Sequence, residues 1–223
     1  MAFPPSASNG HKEDSRYRDL DVSDAVVLFI DHQVGTMLFG ITDIDAVNLH
    51  NSALELAEVA KLLDVPAVLT TSNPTAINGP LFADLTDVLP DAPIINRTAI
   101  NAWRDEAFVA AVKATGRHQL IMAGVTVDVC LTLPAVSAAG DGYDVYGVTD
   151  ASGSTNQHGL YAAMFRMSQA GVKVASTNMV VAELLGDWSV PQAMDVGGVF
   201  ARRQPNSGYL AQFMQTVASA VPA

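Results

Sequence analysis

A continuous run of six apolar residues, Ala25–Ile30, constrains the fold of this chain more than any other segment. Its β-branched members and its lack of polar alternation are typical of a parallel strand that is covered on both faces. Further predicted strands alternate with segments of helical spacing, at Pro66–Thr71, Ile94–Asn96, Gln119–Ala123, Asp144–Thr149 and Val172–Ser176. This alternation predicts an α/β fold, a single-domain three-layer sandwich with a six-stranded, mostly parallel sheet and helices on both faces.

Helices are predicted between these strands, and the composition shows no domain break. Residues 1–20 are polar, contain Pro4-Pro5 and are expected to form a flexible N-terminal arm, so that the domain covers 21–223. The turn signals around Asn73-Pro74 and Asn78-Gly79-Pro80 predict a loop over 72–80. Helical spacing predicts helices over 44–63, 106–115, 131–139, 158–170 and, at the C-terminus, 209–220.

The composition excludes several classes of function. Hydrophobic residues make up 49% of the 223 residues, yet no apolar run approaches the roughly 20 residues that span a bilayer. The apolar excess is expected to be buried between subunits, which predicts a homo-oligomer. A net charge of −11 with no basic cluster argues against nucleic-acid or membrane binding. The polar N-terminal residues 1–19 lack the apolar segment of a secretory signal, so a cytoplasmic location is expected.

Polar residues follow three of the predicted strands. Asp31 comes after the first strand, Arg97 after the third and Cys130 shortly after the fourth. Because the carboxyl ends of parallel strands share one edge of a sheet, these side chains are expected to converge. A carboxylate beside a thiol can take its proton, and a nearby cation stabilises the thiolate and a later oxyanion. Each residue also has a simpler interpretation. Asp31 could be a helix cap or turn residue, Arg97 could form a surface salt bridge, and Cys130 could be a small buried hydrophobe.

Cys130 is the only cysteine of the chain, and it lies where a predicted strand turns into a predicted helix. Unpaired backbone N–H groups at a helix N-terminus favour thiolate, so a depressed thiol pKa is expected. Iodoacetamide should then alkylate the thiol quickly at neutral pH.

The chain resembles the isochorismatase-like cysteine hydrolase superfamily, which includes nicotinamidases and N-carbamoylsarcosine amidases, and within it the YcaC-like group. The similarity extends from about Asp21 to Trp188. The segments that carry it are Leu28–Gln33, Asn78–Leu81, Ile100–Trp103, Gly124–Cys130, Val148–Gly153 and Arg166–Gly171.

The resemblance implies a catalytic triad of aspartate, lysine and cysteine. Asp31 and Cys130 match this pattern, whereas Arg97 stands at the lysine position, four residues before Asn101. A guanidinium can hold charge there but does not exchange protons as a perturbed lysine does. The resemblance also implies a cis peptide at Val125–Thr126, and an oxyanion hole made by the backbone N–H groups of Thr126 and Cys130.

Metal-binding members of the superfamily use an Asp-x-His element after the second strand. The corresponding segment here, Ser72–Gly79, has no histidine or carboxylate, so no metal and no cofactor are expected. His32 could line the cleft but is expected to be structural. Candidates for the substrate pocket are Asn73, Phe39, Leu81 and Trp103, with ordinary loop packing as the alternative for each.

These observations predict a metal-independent hydrolase of a small molecule, acting at an amide-type C–N bond through a thioester on Cys130. The alternative is an oligomeric protein in which Cys130 serves redox sensing or ligand binding with little turnover. Higher-order assembly, such as an octamer, is implied by the resemblance.

Overall fold

The computed structural model describes residues 18–37, 40–204, 209, 212, 215 and 216. Within this part of the chain, the strands form one six-stranded sheet in the order β3-β2-β1-β4-β5-β6, and every pairing is parallel. Their bounds are β1 Ala25–Ile30, β2 Ala67–Ser72, β3 Ile94–Arg97, β4 Gln119–Gly124, β5 Asp144–Val148 and β6 Lys173–Ala175. The predicted single-domain α/β architecture is confirmed.

Helices cover both faces of this sheet. They are α1 Val34–Met37, α2 Ala46–Leu62, α3 Ala83–Val88, α4 Glu106–Ala114, α5 Thr132–Gly140, α6 Gln157–Gln169, α7 Thr177–Leu185 and α8 Ala193–Arg203. Val27 and Phe29 of β1 point into the core formed with α2, α3 and α7. Val26, Leu28 and Ile30 point into the opposite core, formed with α4, α5 and α6. The uninterrupted apolar run of β1 therefore reflects burial on both faces.

The structure differs from the sequence prediction in its helices. The predicted helix at 131–139 is preceded by a π-helical turn, Val127–Leu131, so Cys130 lies in that turn and the α-helix begins at Thr132. Four helices were not predicted: α1, α3, α7 and α8. The predicted terminal helix at 209–220 lies mostly outside the described residues, as does the predicted arm apart from residues 18–20. None of the helices described is long and apolar enough to cross a membrane.

Candidate active site

The strand order creates a crevice between β1 and β4. From β1 the chain moves outward through β2 and β3, and then crosses to the other side of β1 to form β4. Ligand sites of open α/β sheets form beyond the carboxyl ends of strands at this kind of reversal. Asp31 directly follows β1, and Cys130 lies in the turn that follows β4. The topology thus brings these two residues to opposite walls of one crevice.

Arg97 reaches the crevice from β3, which lies two strands away from β1. At a spacing of about 4.8 Å between strands, its side chain must span roughly 10 Å across the end of β2. Nη2 of Arg97 lies 2.7 Å from each carboxylate oxygen of Asp31. Nη1 donates to the carbonyls of Ala99 and of Ile100, the latter at 3.1 Å. Both side chains of the Asp31–Arg97 ion pair are fully buried. Arg97 therefore does not make a surface salt bridge, and the predicted convergence of Asp31 with Arg97 is present.

The backbone of Asp31 adopts a left-handed conformation, with φ at +60°. Few residues other than glycine do so, although aspartate is among the more tolerant. The Asp31 N–H donates to the Thr70 carbonyl at 3.0 Å. The hydroxyl of Thr36 donates to the Asp31 carbonyl at 2.8 Å. These contacts, with Arg97, hold the carboxylate at the end of β1 in one orientation.

The turn that carries Cys130 lies close against the end of β4. A Cβ atom placed on Gly124 would be 2.7 Å from both the carbonyl carbon and the carbonyl oxygen of Cys130, so only glycine fits there. The N–H of Val127 donates to the Gly153 carbonyl at 2.7 Å, and the hydroxyl of Thr132 donates to the Val127 carbonyl at 2.7 Å. The Val125–Thr126 peptide bond is cis, as the resemblance implied.

The thiol of Cys130 has two polar neighbours. The Asp31 carboxylate raises the pKa of the thiol, whereas the backbone N–H of Thr126 lowers it. No backbone carbonyl in the described part of the chain accepts that N–H. Cys130 is partly exposed as a residue.

The expectation that the pKa of the Cys130 thiol is depressed is wrong for the resting site. Burial raises the pKa of the Cys130 thiol well above its ordinary value, and the Asp31 carboxylate raises it further, whereas Arg97 opposes both. Burial also raises the pKa of Asp31, although Arg97 and the Cys130 hydrogen bond favour its ionised form. The resting thiol therefore keeps its proton, and Asp31 is the group placed to accept it.

The candidate pocket residues lie in different surroundings. Asn73 is exposed after β2, and its backbone N–H donates to the Arg97 carbonyl at 2.7 Å. Leu81 is buried in the core on the α2 side. Trp103 is also buried, and its indole N–H donates to Asp141 at 2.8 Å. Phe39 lies outside the described residues.

Trp103 is therefore placed away from the thiol. Asp141 follows the last residue of α5, whereas Cys130 precedes its first. A nine-residue helix is about 13 Å long, so Asp141, which binds the indole N–H, lies at the opposite end of α5 from the Cys130 turn. The Trp103 ring packs edge-on against Phe108 and Tyr143, so this side chain is part of the core.

Two further residues shape the site and were missed as functional candidates. Gln33 is buried, and its side chain bonds the backbone N–H of Ser72 at 2.8 Å and the Gly79 carbonyl at 2.5 Å. It thereby joins the loop after β2 to the chain beyond Asp31. Asp128, in the Cys130 turn, has one buried carboxylate oxygen with no hydrogen-bond partner among the described residues. The sequence did contain a signal for both residues. Gln33 lies two positions after Asp31, and Asp128 lies two positions before Cys130.

His32 has a structural setting. Its Nε2 lies 2.8 Å from the Ala151 carbonyl, so this nitrogen carries the proton, and the ring packs edge-on against Phe29 and Phe82. Burial lowers the pKa of His32 to about 4, which keeps the ring neutral. In the described part of the chain, no three His, Cys, Asp or Glu side chains form a group that could hold a metal ion. The loop after β2, which includes Asn73, contains neither the carboxylate nor the histidine of the Asp-x-His element.

Comparisons with known proteins agree with this geometry. A family model, the isochorismatase domain, matches residues 25–179. Escherichia coli YcaC, called a probable hydrolase, is 47% identical over 173 residues, which cover 77% of this chain and 83% of that protein. The Escherichia coli YcaC crystal structure, of an octameric hydrolase of unknown specificity, has a TM-score of 0.86 at 42% identity and covers 90% of this chain and 98% of its own. Pseudomonas aeruginosa YcaC, solved with hexane-2,5-diol and covalent acrylamide, has a TM-score of 0.85 at 41% identity and covers 89% and 98%. The chain belongs to the isochorismatase family.

Proposed function

We propose that this protein is a hydrolase that uses Cys130 as a nucleophile on a small amide-type substrate. Asp31 accepts the thiol proton as the sulfur attacks the carbonyl carbon, and a C–S bond forms. The C–N bond then breaks, and the leaving nitrogen takes the proton from Asp31. Water attacks the resulting thioester and gives a proton to Asp31, and the C–S bond breaks to release the acid. Asp31 then returns the proton to the sulfur, which restores the thiol. No metal or cofactor takes part in this scheme.

The observation that carries the proposal is the placement of Asp31 and Cys130 after the neighbouring strands β1 and β4, where the Asp31 carboxylate acts on the pKa of the Cys130 thiol. A buried carboxylate with a raised pKa is a suitable proton acceptor, because its basicity lies nearer to neutral pH than that of an exposed aspartate. Cys130 is partly exposed as a residue, which is consistent with access of a small substrate to this end of the sheet. Covalent acrylamide in the Pseudomonas aeruginosa relative adds support, since acrylamide is an electrophile to which thiols add.

Arg97 supplies fixed charge in this scheme. Its guanidinium balances Asp31 in the resting state, and it balances the thiolate once the proton has moved to Asp31. The Thr126 N–H, which no backbone carbonyl in the described part of the chain accepts, is proposed to form an oxyanion hole together with the Cys130 N–H. Donors of this kind contribute about 10²–10³ in rate when they match the developing oxyanion.

The test is a substrate screen with matched variants. Purified protein is incubated with a panel of small amides, carbamates and vinyl ethers, and product release is measured beside Cys130→Ala and Cys130→Ser. The proposal expects turnover of at least one amide that both variants lose, and a thioester adduct on the wild type by intact mass. Turnover that survives in Cys130→Ala would contradict the proposal. No turnover on any member of the panel would instead favour a redox or binding role for Cys130.

We also propose that the chain acts as a homo-oligomer. The Escherichia coli relative is octameric, and the α6 helix here exposes Tyr161 and Phe165, four residues apart on one helix face, at 53% and 70%. Aromatic side chains this exposed are typical of protein interfaces. Light scattering should give the mass of an assembly, and Phe165→Asp should reduce it. A stable monomer at micromolar concentration would contradict this proposal.

A further inference from the structure

The segment that follows β5 contacts the loop between β4 and Cys130. The hydroxyl of Ser152 accepts the backbone N–H of Gly124, the last residue of β4, at 3.0 Å. The same hydroxyl donates to the carbonyl of Val148, the last residue of β5, at 2.5 Å. Ser152 is fully buried, so water does not compete for these hydrogen bonds. This one hydroxyl therefore joins the ends of two neighbouring strands.

Gly153 makes a second contact with the same loop. Its carbonyl accepts the backbone N–H of Val127 at 2.7 Å. Gly153 has a φ of +67°, a conformation that favours glycine, and a Cβ atom placed on it would lie 2.4 Å from a methyl carbon of Leu49 on α2. The backbone of Gly153 is thus packed closely against α2, which fixes the direction of its carbonyl.

A third contact comes from β1. The backbone N–H of Val125 donates to the carbonyl of Ile30, the residue before Asp31, at 3.0 Å. The N–H groups on both sides of Thr126 therefore have acceptors within the protein. The Thr126 N–H differs, because no backbone carbonyl in the described part of the chain accepts it. The bonded neighbours hold the peptide plane of Thr126, and they leave its N–H free for another acceptor.

We propose that Ser152 is a positioning residue for the reaction at Cys130, and that it acts with Gly153 by fixing the Thr126 N–H at the crevice. This inference rests on the proposed function and adds the residues that hold the oxyanion donor. Neither residue touches the reacting atoms; Ser152 acts through Gly124. Loss of the hydroxyl would leave the buried Gly124 N–H without an acceptor, and the loop would have to shift to find one. A shift of about 1 Å is enough to misalign such a donor.

The test is the pH profile of Cys130 alkylation by iodoacetamide, followed by mass spectrometry. The thiolate forms a C–S bond with the reagent and iodide leaves, and Cys130 is the only cysteine of the chain. Ser152→Ala should move the profile to higher pH, because a displaced Thr126 N–H no longer lowers the pKa of the thiol. The charged groups that act on this thiol, Asp31 and Arg97, are retained in the variant.

The direction of the shift separates positioning from a loss of packing. Burial raises the pKa of the Cys130 thiol, so a site that only loosens or unfolds would bring this pKa closer to its ordinary value. The profile would then move to lower pH, toward that of the same chain unfolded in urea. An unchanged profile, or one that moves toward the unfolded chain, would overturn the inference.

Ser137→Ala is the matched control. The Ser137 hydroxyl on α5 also accepts one N–H, from the Asn101 side chain at 3.0 Å, and donates to one carbonyl, that of Leu133 at 3.0 Å. Its removal should leave the alkylation profile unchanged. On a substrate from the screen, Ser152→Ala should lower kcat by about 10–10²-fold with KM within about twofold, because an oxyanion donor acts in the transition state. A raised KM with kcat retained would contradict the proposal.

Hydrogen exchange on the wild-type protein needs no variant. The amides of Gly124 and Val127 should exchange at least about 10²-fold more slowly than in the unfolded chain, because both are hydrogen-bonded and buried. Fast exchange at Gly124 would overturn the role of Ser152, even if Ser152→Ala did not fold. Alkylation and exchange require no substrate, so a failure of this inference and a failure of the proposed amide hydrolysis are observed separately.

Discussion

One nitrogen of Arg97, Nη2, contacts both carboxylate oxygens of Asp31 at 2.7 Å each, in a pair from which solvent is excluded. Arginine commonly meets a carboxylate with two parallel hydrogen bonds from two nitrogens, but here a single nitrogen makes both contacts. An ammonium group is also a single point donor. The lysine of the family triad could therefore reproduce the contact that Arg97 makes with Asp31. The second nitrogen, Nη1, donates to the loop that follows β3.

Arg97→Lys should therefore keep most of the activity, within about tenfold of wild type, because the point charge beside Asp31 is retained. Arg97→Met fills a similar volume without charge, and should lose about 10²-fold or more in kcat/KM, as the loss of a charge-stabilising donor does. The comparison is made on the best substrate from the screen. Equal losses in the two variants would show that the planar guanidinium, and not its charge, is what the site requires.

Asp31→Asn should separate thiol acidity from turnover. Removing the carboxylate removes a cause of the raised Cys130 pKa and leaves Arg97 unopposed, so the thiol pKa should fall. The pH profile of iodoacetamide alkylation should then shift to lower pH. Turnover should fall by about 10² or more, because an amide cannot accept the thiol proton.

The control for this experiment is Asp84→Asn, which removes a surface carboxylate that contacts His50. It should change neither the alkylation profile nor kcat/KM. An alkylation profile for Asp31→Asn that moves to higher pH would contradict the assignment of Asp31 as the neighbour that keeps the thiol protonated.

Gly124→Ala should impair the site through the backbone alone. The added Cβ would lie 2.7 Å from the Cys130 carbonyl carbon and oxygen and 2.9 Å from the Leu131 nitrogen, so the turn must move. Displacement of a nucleophile by about 1 Å can cost about 10²-fold in rate. Gly197→Ala, in α8 with open space around it, is the matched control and should be neutral or slightly stabilising. Full activity in Gly124→Ala would show that the turn tolerates a shift.

The sheet, the strand ends and the meeting of Asp31 with Arg97 could be predicted because each depends on a local pattern. The apolar run of β1 indicates burial on both faces, and parallel strands bring their carboxyl ends together. The thiol pKa could not be predicted in this way. It depends on how close the Asp31 carboxylate lies and on the π-helical turn that replaces the expected helix start, and both are set by long-range packing of β1 against β4.

Trp103 illustrates a second limit. Its position within a family motif indicated the pocket, but its partner Asp141 is 38 residues away in sequence. Only the packing of the segment after β3 against α5 shows that the indole points to the far end of that helix. Motif proximity predicts which loop a residue belongs to and not the direction of its side chain.

A second buried carboxyl lies far from Cys130, at Glu55 on α2. It is almost fully buried and accepts hydrogen bonds from Gln204 at 3.1 and 3.0 Å. Burial raises the pKa of Glu55 to about 7, and Asp150 and Glu58 add to the rise. Between about pH 4.5 and 7 the folded protein therefore holds a proton that the unfolded chain has lost. It follows that the free energy of unfolding contributed by Glu55 falls as pH rises through this window.

Glu55→Gln should therefore be more stable than wild type at pH 8, by about 1–3 kcal/mol, and the difference should shrink toward zero at pH 5. Glu58→Gln on the same helix is the matched control with the opposite sign. Hydrogen bonds from Arg203 and Arg202 outweigh burial and lower the pKa of Glu58, so this variant should be less stable than wild type at pH 8. Urea unfolding at pH 5 and pH 8, at one protein concentration, measures all three proteins. A Glu55→Gln variant that loses stability at pH 8 would show that the ionised carboxylate stabilises the fold through a contact that outweighs its burial.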